Sequence, residues 1–308
     1  MSNRLPIAQM LTFGLLPSGL KILLYRLQGN HIGKRVRLSI GAVVGSKERF
    51  SIGDGSKIGC FTSISGRRVT IGRHCQLRSA VVISADSIQI GDEVTISETA
   101  ILRAGHLSEH STLIIDDLVH IFPSTTIDPS RRVHLHEECA VGPGCSIFTH
   151  SSYKNILNGF PVHYGDISIG KRVELTYNVF VAPGVTIGDD TIVGYGSYVN
   201  HDLPANVLAA GLPATVKRSK EQFAPTPTVE EREKILKDIV SEFDKHLTYN
   251  NIHHTPEQVV ISGDKEIIVN GDCHFNLECY RCDNPKDDIS KALRRFLSRY
   301  GIRFKQSE

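Results

Sequence analysis

Aliphatic residues recur along the chain in steps of six. From Ile169-Gly170-Lys171-Arg172-Val173-Glu174 the register continues through Leu175, Val181, Ile187, Val193 and Val199, and the fifth residue of each hexad is Val173, Val179, Val185, Thr191, Ser197 and Leu203. Two apolar or small positions per six residues are what a short strand and a tight turn present when the chain winds into a prism. The same phase runs upstream through Ile52/Ile58/Ile64, Ile71/Leu77/Ile83, Ile90/Ile96, Ile115/Ile121/Ile127 and Leu135/Val141/Ile147. Taking three hexads per coil places coil starts at residues 32, 52, 71, 90, 115, 135, 169 and 187, which predicts eight coils. Two spacings, 25 and 34 residues, are well above the basic 18 and predict loops near residues 103–113 and 151–166. Insertions in a solenoid tend to mark its working edge.

Outside the repeat the pattern changes. Residues 1–31 predict a helical cap on a β-helix spanning 32–218, and residues 219–308 a small α+β extension. Ala224-Pro225-Thr226-Pro227-Thr228 is a linker into a helix over 229–247, followed by strands at 259–261, 266–269 and around 274–280, then a basic amphipathic helix near 288–300. The fold expected is mainly β, a parallel β-helix with a helical cap and this α+β extension.

The hexads and their Ile-Gly starts (Ile32-Gly33, Ile52-Gly53, Ile71-Gly72, Ile90-Gly91, Ile169-Gly170, Ile187-Gly188) resemble those of the hexapeptide-repeat acyltransferases, whose coil is a left-handed parallel β-helix. Thr149-His150 opens the longer loop, and the chain returns at Ile169-Gly170-Lys171-Arg172-Val173, as in sugar O-acetyltransferases of this family, where a histidine at that point is catalytic. The resemblance implies that His150 is a general base. A neutral imidazole near pH 7 can take the proton of a sugar hydroxyl attacking a thioester. It also implies acetyl-CoA as donor, a sugar or growing surface polysaccharide as acceptor, and a homotrimer sharing its sites between chains. Asp166 and Glu138 are candidates to orient His150.

His120 stands where similar enzymes often carry an Asn facing the acceptor, and His163 lies in the inserted loop; both are candidate acceptor contacts. The stretch Val199-Asn200-His201-Asp202-Leu203-Pro204 and then Ala209 to Arg218 resembles the family's terminal coil, which implies coenzyme A contacts at Tyr177, Tyr195, Asn200, His201 and Arg218. Tyrosines at 177 and 195 leave the acyl chain length open. Three other readings stand beside this one. They are N-acyl transfer to an amino sugar, a γ-type carbonic anhydrase that needs three zinc-binding histidines, and a non-catalytic β-helix scaffold.

Charge and cysteine content narrow the partners. Among 308 residues, 35 Lys+Arg against 33 Asp+Glu leave +2, too little to point to nucleic acid. Seven cysteines without a secretory signal predict a reducing cytoplasm. Cys75, Cys139 and Cys145 occupy inward hexad positions, and Cys279-Tyr280-Arg281-Cys282 lacks a matching second pair, so no metal is expected. His134 and His136 are taken as turn residues beside Leu135. Residues 1–35 combine an interrupted apolar run with Arg4, Lys21, Arg26, Lys34 and Arg35 and no acid, a pattern that suits the inner face of an anionic membrane.

Overall fold

The computed structural model describes residues 7–283, 285 and 287–306. The chain divides into two compact units, one ending at Ala224 and one beginning at Pro225. The first is a three-sided parallel β-helix of about nine turns, in keeping with the left-handed winding of the family it resembles.

One side is an eight-stranded sheet of His31–Ile32, Ser51–Ile52, Arg68–Ile71, Ser87–Ile90, Thr112–Ile115, Val133–Leu135, Ile167–Ile169 and Thr186–Ile187, each pairing in parallel with the next. Every one of these strands ends on a coil start given by the repeat. The second side runs from Arg37–Leu38 to Ile192–Val193 and adds Val207–Gly211 and the antiparallel Ala214–Ser219; the third runs from Val43–Ser46 to Tyr198–Val199. A parallel bridge between Ile187 and Leu203 begins a ninth turn beyond the eight that the spacing gives.

The hexad follows from what each position meets. Ile52, Ile58, Ile64, Ile71, Leu77 and Ile83 point inward and are buried, stacking like on like from coil to coil. Cys75, Cys139 and Cys145 are buried among them. Glycine follows the inward aliphatic because the next coil presses on it. A Cβ at Gly53 would lie 2.6 Å from the backbone carbon of Gly72, and one at Gly72 only 2.4 Å from the carbonyl oxygen of Gly91. Two of the three corners turn through a residue in the left-handed region at a fixed place in each coil: Arg35, Gly55, His74 and Glu93 at one, Gly41, Phe61, Ala80 and Thr99 at the next. The third corner, between the third and first sheets, has no such fixed turn, and both long excursions leave there.

The N-terminal cap consists of Ile7–Leu11, a short turn at Phe13–Leu15, and Ser18–Leu27. No helix among the described residues is long and apolar enough to cross a membrane alone; the two together would be, but are bent by 107°. Ile7, Leu11, Leu15, Leu23 and Leu27 are exposed. Lys21 corrects the sequence reading, because it is fully buried instead of facing outward, with its Nζ donating to the carbonyls of Gly14, Ser39 and Ala42 at 3.1, 2.6 and 3.4 Å. It fastens the cap to the first coil and contributes nothing to a basic surface. Arg26 likewise donates to the carbonyls of Ile32 and Gly33. Arg4 lies outside the described residues.

The second unit packs the helix Val229–Tyr249, capped by Thr228 and Glu231, against a five-stranded sheet and the helix Asp288–Leu297. Phe243, Phe275, Phe296 and Phe304 fill its core. Cys273 and Cys282 are buried in that core while Cys279 is exposed. The strand expected around 274–280 is Cys273–Asn276, and two further strands, Arg281–Cys282 and Lys305–Gln306, join the sheet.

Candidate functional site

Three consecutive passes of the chain through the third corner assemble one cluster. The first excursion leaves strand Ile101–Arg103 and carries Gly105 and His106. The next coil brings strand Thr126–Asp128, then Ser130 and Arg131. The pass after that ends strand Ser146–Phe148 and opens the longer excursion at His150. That excursion is an antiparallel hairpin pairing His150 with Tyr164 and Ser151 with His163, its tip turned by Ile156–Asn158. Thr149 staples its base, donating to the Asp128 carbonyl at 2.8 Å and accepting from the Arg131 amide at 3.0 Å.

His150 is the centre of the cluster, with 17% of its side chain exposed. Its Nδ1 is buried, has no hydrogen-bond partner among the described residues, and lies 3.6 Å from Oδ2 of Asp128, whose own side chain is 8% exposed. Among the described residues, the groups that hydrogen-bond the carboxylate are all donors. The Gly105 amide reaches Oδ2 at 3.0 Å, and the Ser130 amide and hydroxyl reach Oδ1 at 2.9 and 2.6 Å. Such a set of donors fixes its position. Gly105 has to be small, since a Cβ there would meet Asp128 Oδ2 at 2.8 Å and His150 Cε1 at 3.3 Å. Around the imidazole, Tyr164 stacks at 5.6 Å between centroids and His106 meets it edge-on at 5.0 Å, while Arg131 lies over the Tyr164 ring at 5.5 Å. A histidine backed by a buried carboxylate and rimmed by aromatic faces can accept a proton from a bound polar acceptor.

Neither orienting candidate takes that place. Asp166 pairs with Arg132 at 3.5 Å, and Glu138 is a left-handed residue at the corner between the first and second sheets, away from the corner that carries His150. The carboxylate comes from Asp128, one coil back, where a register one hexad wide gives no hint of it. His106 escapes notice for the same reason.

His163 is exposed on the hairpin, paired with Ser151. His120 lies on the second sheet, stacked on Phe122 at 4.0 Å with its Nε2 3.3 Å from Ser97 Oγ, so within one chain it faces out from a different side than His150. Tyr177 and Tyr195 are exposed at equivalent places in successive coils, where the Gly196 amide donates to the Tyr177 carbonyl at 2.9 Å. Asn200 and His201 are exposed and joined at 2.9 Å, on the same corner as His150 and two coils farther along. At about 4.8 Å per coil that is roughly 10 Å. Arg218 is exposed on the last antiparallel strand, opposite Leu208.

No family model matches the chain. It is 43% identical over 95 residues to galactoside O-acetyltransferase of Escherichia coli (strain K12), a match covering 30% of this chain and 47% of that protein. It is 46% identical over 69 residues, 22% of this chain and 38% of the relative, to WcaF of the same organism, named for acetyl transfer in colanic acid biosynthesis. The chain thus spans less than half the length of these relatives. Among solved structures, UDP-N-acetylglucosamine acyltransferase of Campylobacter jejuni aligns over 91% of this chain and 96% of its own at 14% identity and a TM-score of 0.49. PerB of Caulobacter crescentus, solved with CoA and GDP-perosamine, aligns over 67% of each chain at 23% identity and a TM-score of 0.28.

Proposed function

Since this chain belongs to the hexapeptide-repeat acyltransferases, we propose that it transfers an acetyl group from acetyl-CoA to a hydroxyl of a sugar or surface polysaccharide, with His150 as general base. The observation that carries this reading is the buried, unpartnered Nδ1 of His150 facing Asp128, which leaves Nε2 for the open edge. With Nδ1 protonated toward Asp128, Nε2 takes the acceptor's hydroxyl proton as the oxygen attacks the thioester carbonyl carbon. The tetrahedral oxyanion then collapses, the C–S bond breaks, and the imidazolium returns its proton to the departing thiolate. Asp128 stabilises the imidazolium formed between these steps. The 3.6 Å separation has to shorten by a few tenths of an ångström, as hydrogen bonds in free enzymes commonly do when substrate binds.

Tyr177, Tyr195, Asn200, His201 and Arg218 are the proposed coenzyme A contacts, the cation serving the phosphates. His106, Tyr164 and His163 rim the acceptor side, with His120 supplied from a neighbouring chain. The hairpin tip supports assembly as a homotrimer, because Tyr153, Ile156 and Leu157 stand exposed on it, an apolar surface suited to a neighbouring subunit. The exposed leucines of the N-terminal cap support peripheral contact with a membrane. Seven free thiols suit a reducing, cytoplasmic setting.

The hydroxyl is favoured over an amine by the identity to an O-acetyltransferase. The test is mass spectrometry of acetyl-CoA incubated with the protein and a panel of neutral, acidic and amino sugars. Gain of one acetyl group on oxygen is expected. Gain only on nitrogen would reverse the acceptor class, and absence of both transfer and CoA binding would overturn the proposal.

A further inference from the structure

The first sheet carries a second cluster of ligand-type side chains that the acyl-transfer reading leaves unused. Asp116 follows strand Thr112–Ile115 and His136 follows Val133–Leu135; Ile115 and Leu135 are register partners, so these two residues stack one coil apart. His134 lies in the second of these strands. Asp116 Oδ2 is 3.0 Å from His134 Nε2 and 3.4 Å from His136 Nδ1, and one ligand atom from each residue lies within 4.8 Å of the other two. The two rings are 3.7 Å apart at their centroids.

We propose that Asp116, His134 and His136 form a binding site for a divalent late first-row transition ion, zinc foremost, ligated through Oδ2, Nε2 and Nδ1. Two imidazoles and one carboxylate are a ligand set that zinc takes with an open fourth position. Bonds of about 2.0–2.2 Å in tetrahedral geometry separate ligand atoms by about 3.4 Å, so the two nitrogens already stand near the required distance from Oδ2. The outer partner is also present: His136 Nε2 is 3.1 Å from Ser168 Oγ on the following coil. A proton held on Nε2 by that oxygen leaves the Nδ1 lone pair facing Asp116, where a cation fits between two acceptors. All three side chains remain partly exposed, from 25% to 36%, so the fourth position is open to water or to a group from a second copy. His134 lies within a strand and not in the turn expected beside Leu135, and Asp116 lies eighteen positions upstream of it.

This inference is independent of the transfer reaction, and its test reads metal directly. Full-length protein stripped with chelator is titrated with cobalt(II), then displaced with zinc(II). One equivalent is expected, with visible absorption of nitrogen and oxygen ligation and no thiolate charge-transfer band from the exposed Cys60 and Cys279. His134→Ala and the size-conserving Asp116→Asn should each weaken binding by at least about tenfold with circular dichroism unchanged, and Ser168→Ala should weaken it by a similar factor. Binding equally tight in His134→Ala and Asp116→Asn, a thiolate spectrum, or no stoichiometric binding by the wild type would overturn the site.

Discussion

His150 and Asp128 come from successive coils, 22 positions apart in sequence, yet the fold sets Nδ1 of one 3.6 Å from Oδ2 of the other, with both side chains largely buried. The pairing depends on the one corner of the prism that lacks a fixed left-handed turn. Chain can leave there without disturbing the core, and two excursions do so on either side of the coil that supplies the carboxylate.

Asp128→Asn keeps the shape of that carboxylate but removes its charge, and it offers Nδ1–H a weaker acceptor. A fall in kcat of about 100-fold is expected, with the dissociation constant for acetyl-CoA unchanged by calorimetry. Unchanged kcat would remove Asp128 from the mechanism.

Gly105→Ala tests the same geometry without touching an ionisable group. Its new Cβ would meet Asp128 Oδ2 at 2.8 Å and His150 Cε1 at 3.3 Å. A displacement of even a fraction of an ångström should lower kcat by about tenfold or more, while the melting temperature moves little.

The sequence exposes the winding clearly, because two inward positions in six must be small or aliphatic on every turn, and a lapse would open the core. The same arithmetic locates both excursions, since added residues shift the next start and nothing else. What it hides is contact between coils. Asp128 and His106 sit at ordinary outward or loop positions, and only the stacking brings them to His150. Lys21 misleads in the opposite way: a cation in an apolar run suggests a wet surface, but three backbone carbonyls at the end of the first coil provide it with a buried berth. Residue type alone does not distinguish these cases.

Lys21→Met should cost about 2–3 kcal/mol, since a buried charged donor is lost and its carbonyl partners remain. Burial lowers the pKa of Lys21 below 10.5. Between the folded value and 10.5 the unfolded chain therefore binds a proton that the folded chain has released, and wild-type stability rises with pH across that window. Lys21→Met lacks this titration. Thermal melts in increasingly alkaline buffers below 10.5 should show the gap between the two proteins widening; a constant or narrowing gap would contradict the buried position.

Thiol reactivity should follow the coil. Burial pushes the Cys75 and Cys145 thiols up to about 11, and Cys60 and Cys279 are the exposed ones. Iodoacetamide on the native protein should add two groups by intact mass and, after denaturation, seven. Rapid native labelling of Cys75 or Cys145 would show that the coil opens.

The most direct test of the account is acetyl transfer by His150→Ala against wild type, using the acceptor on which wild-type transfer is detected. A loss of at least about 100-fold in kcat, with acetyl-CoA affinity, circular dichroism and oligomer mass retained, is the predicted result. Turnover within a few-fold of wild type would show that the proton is taken elsewhere.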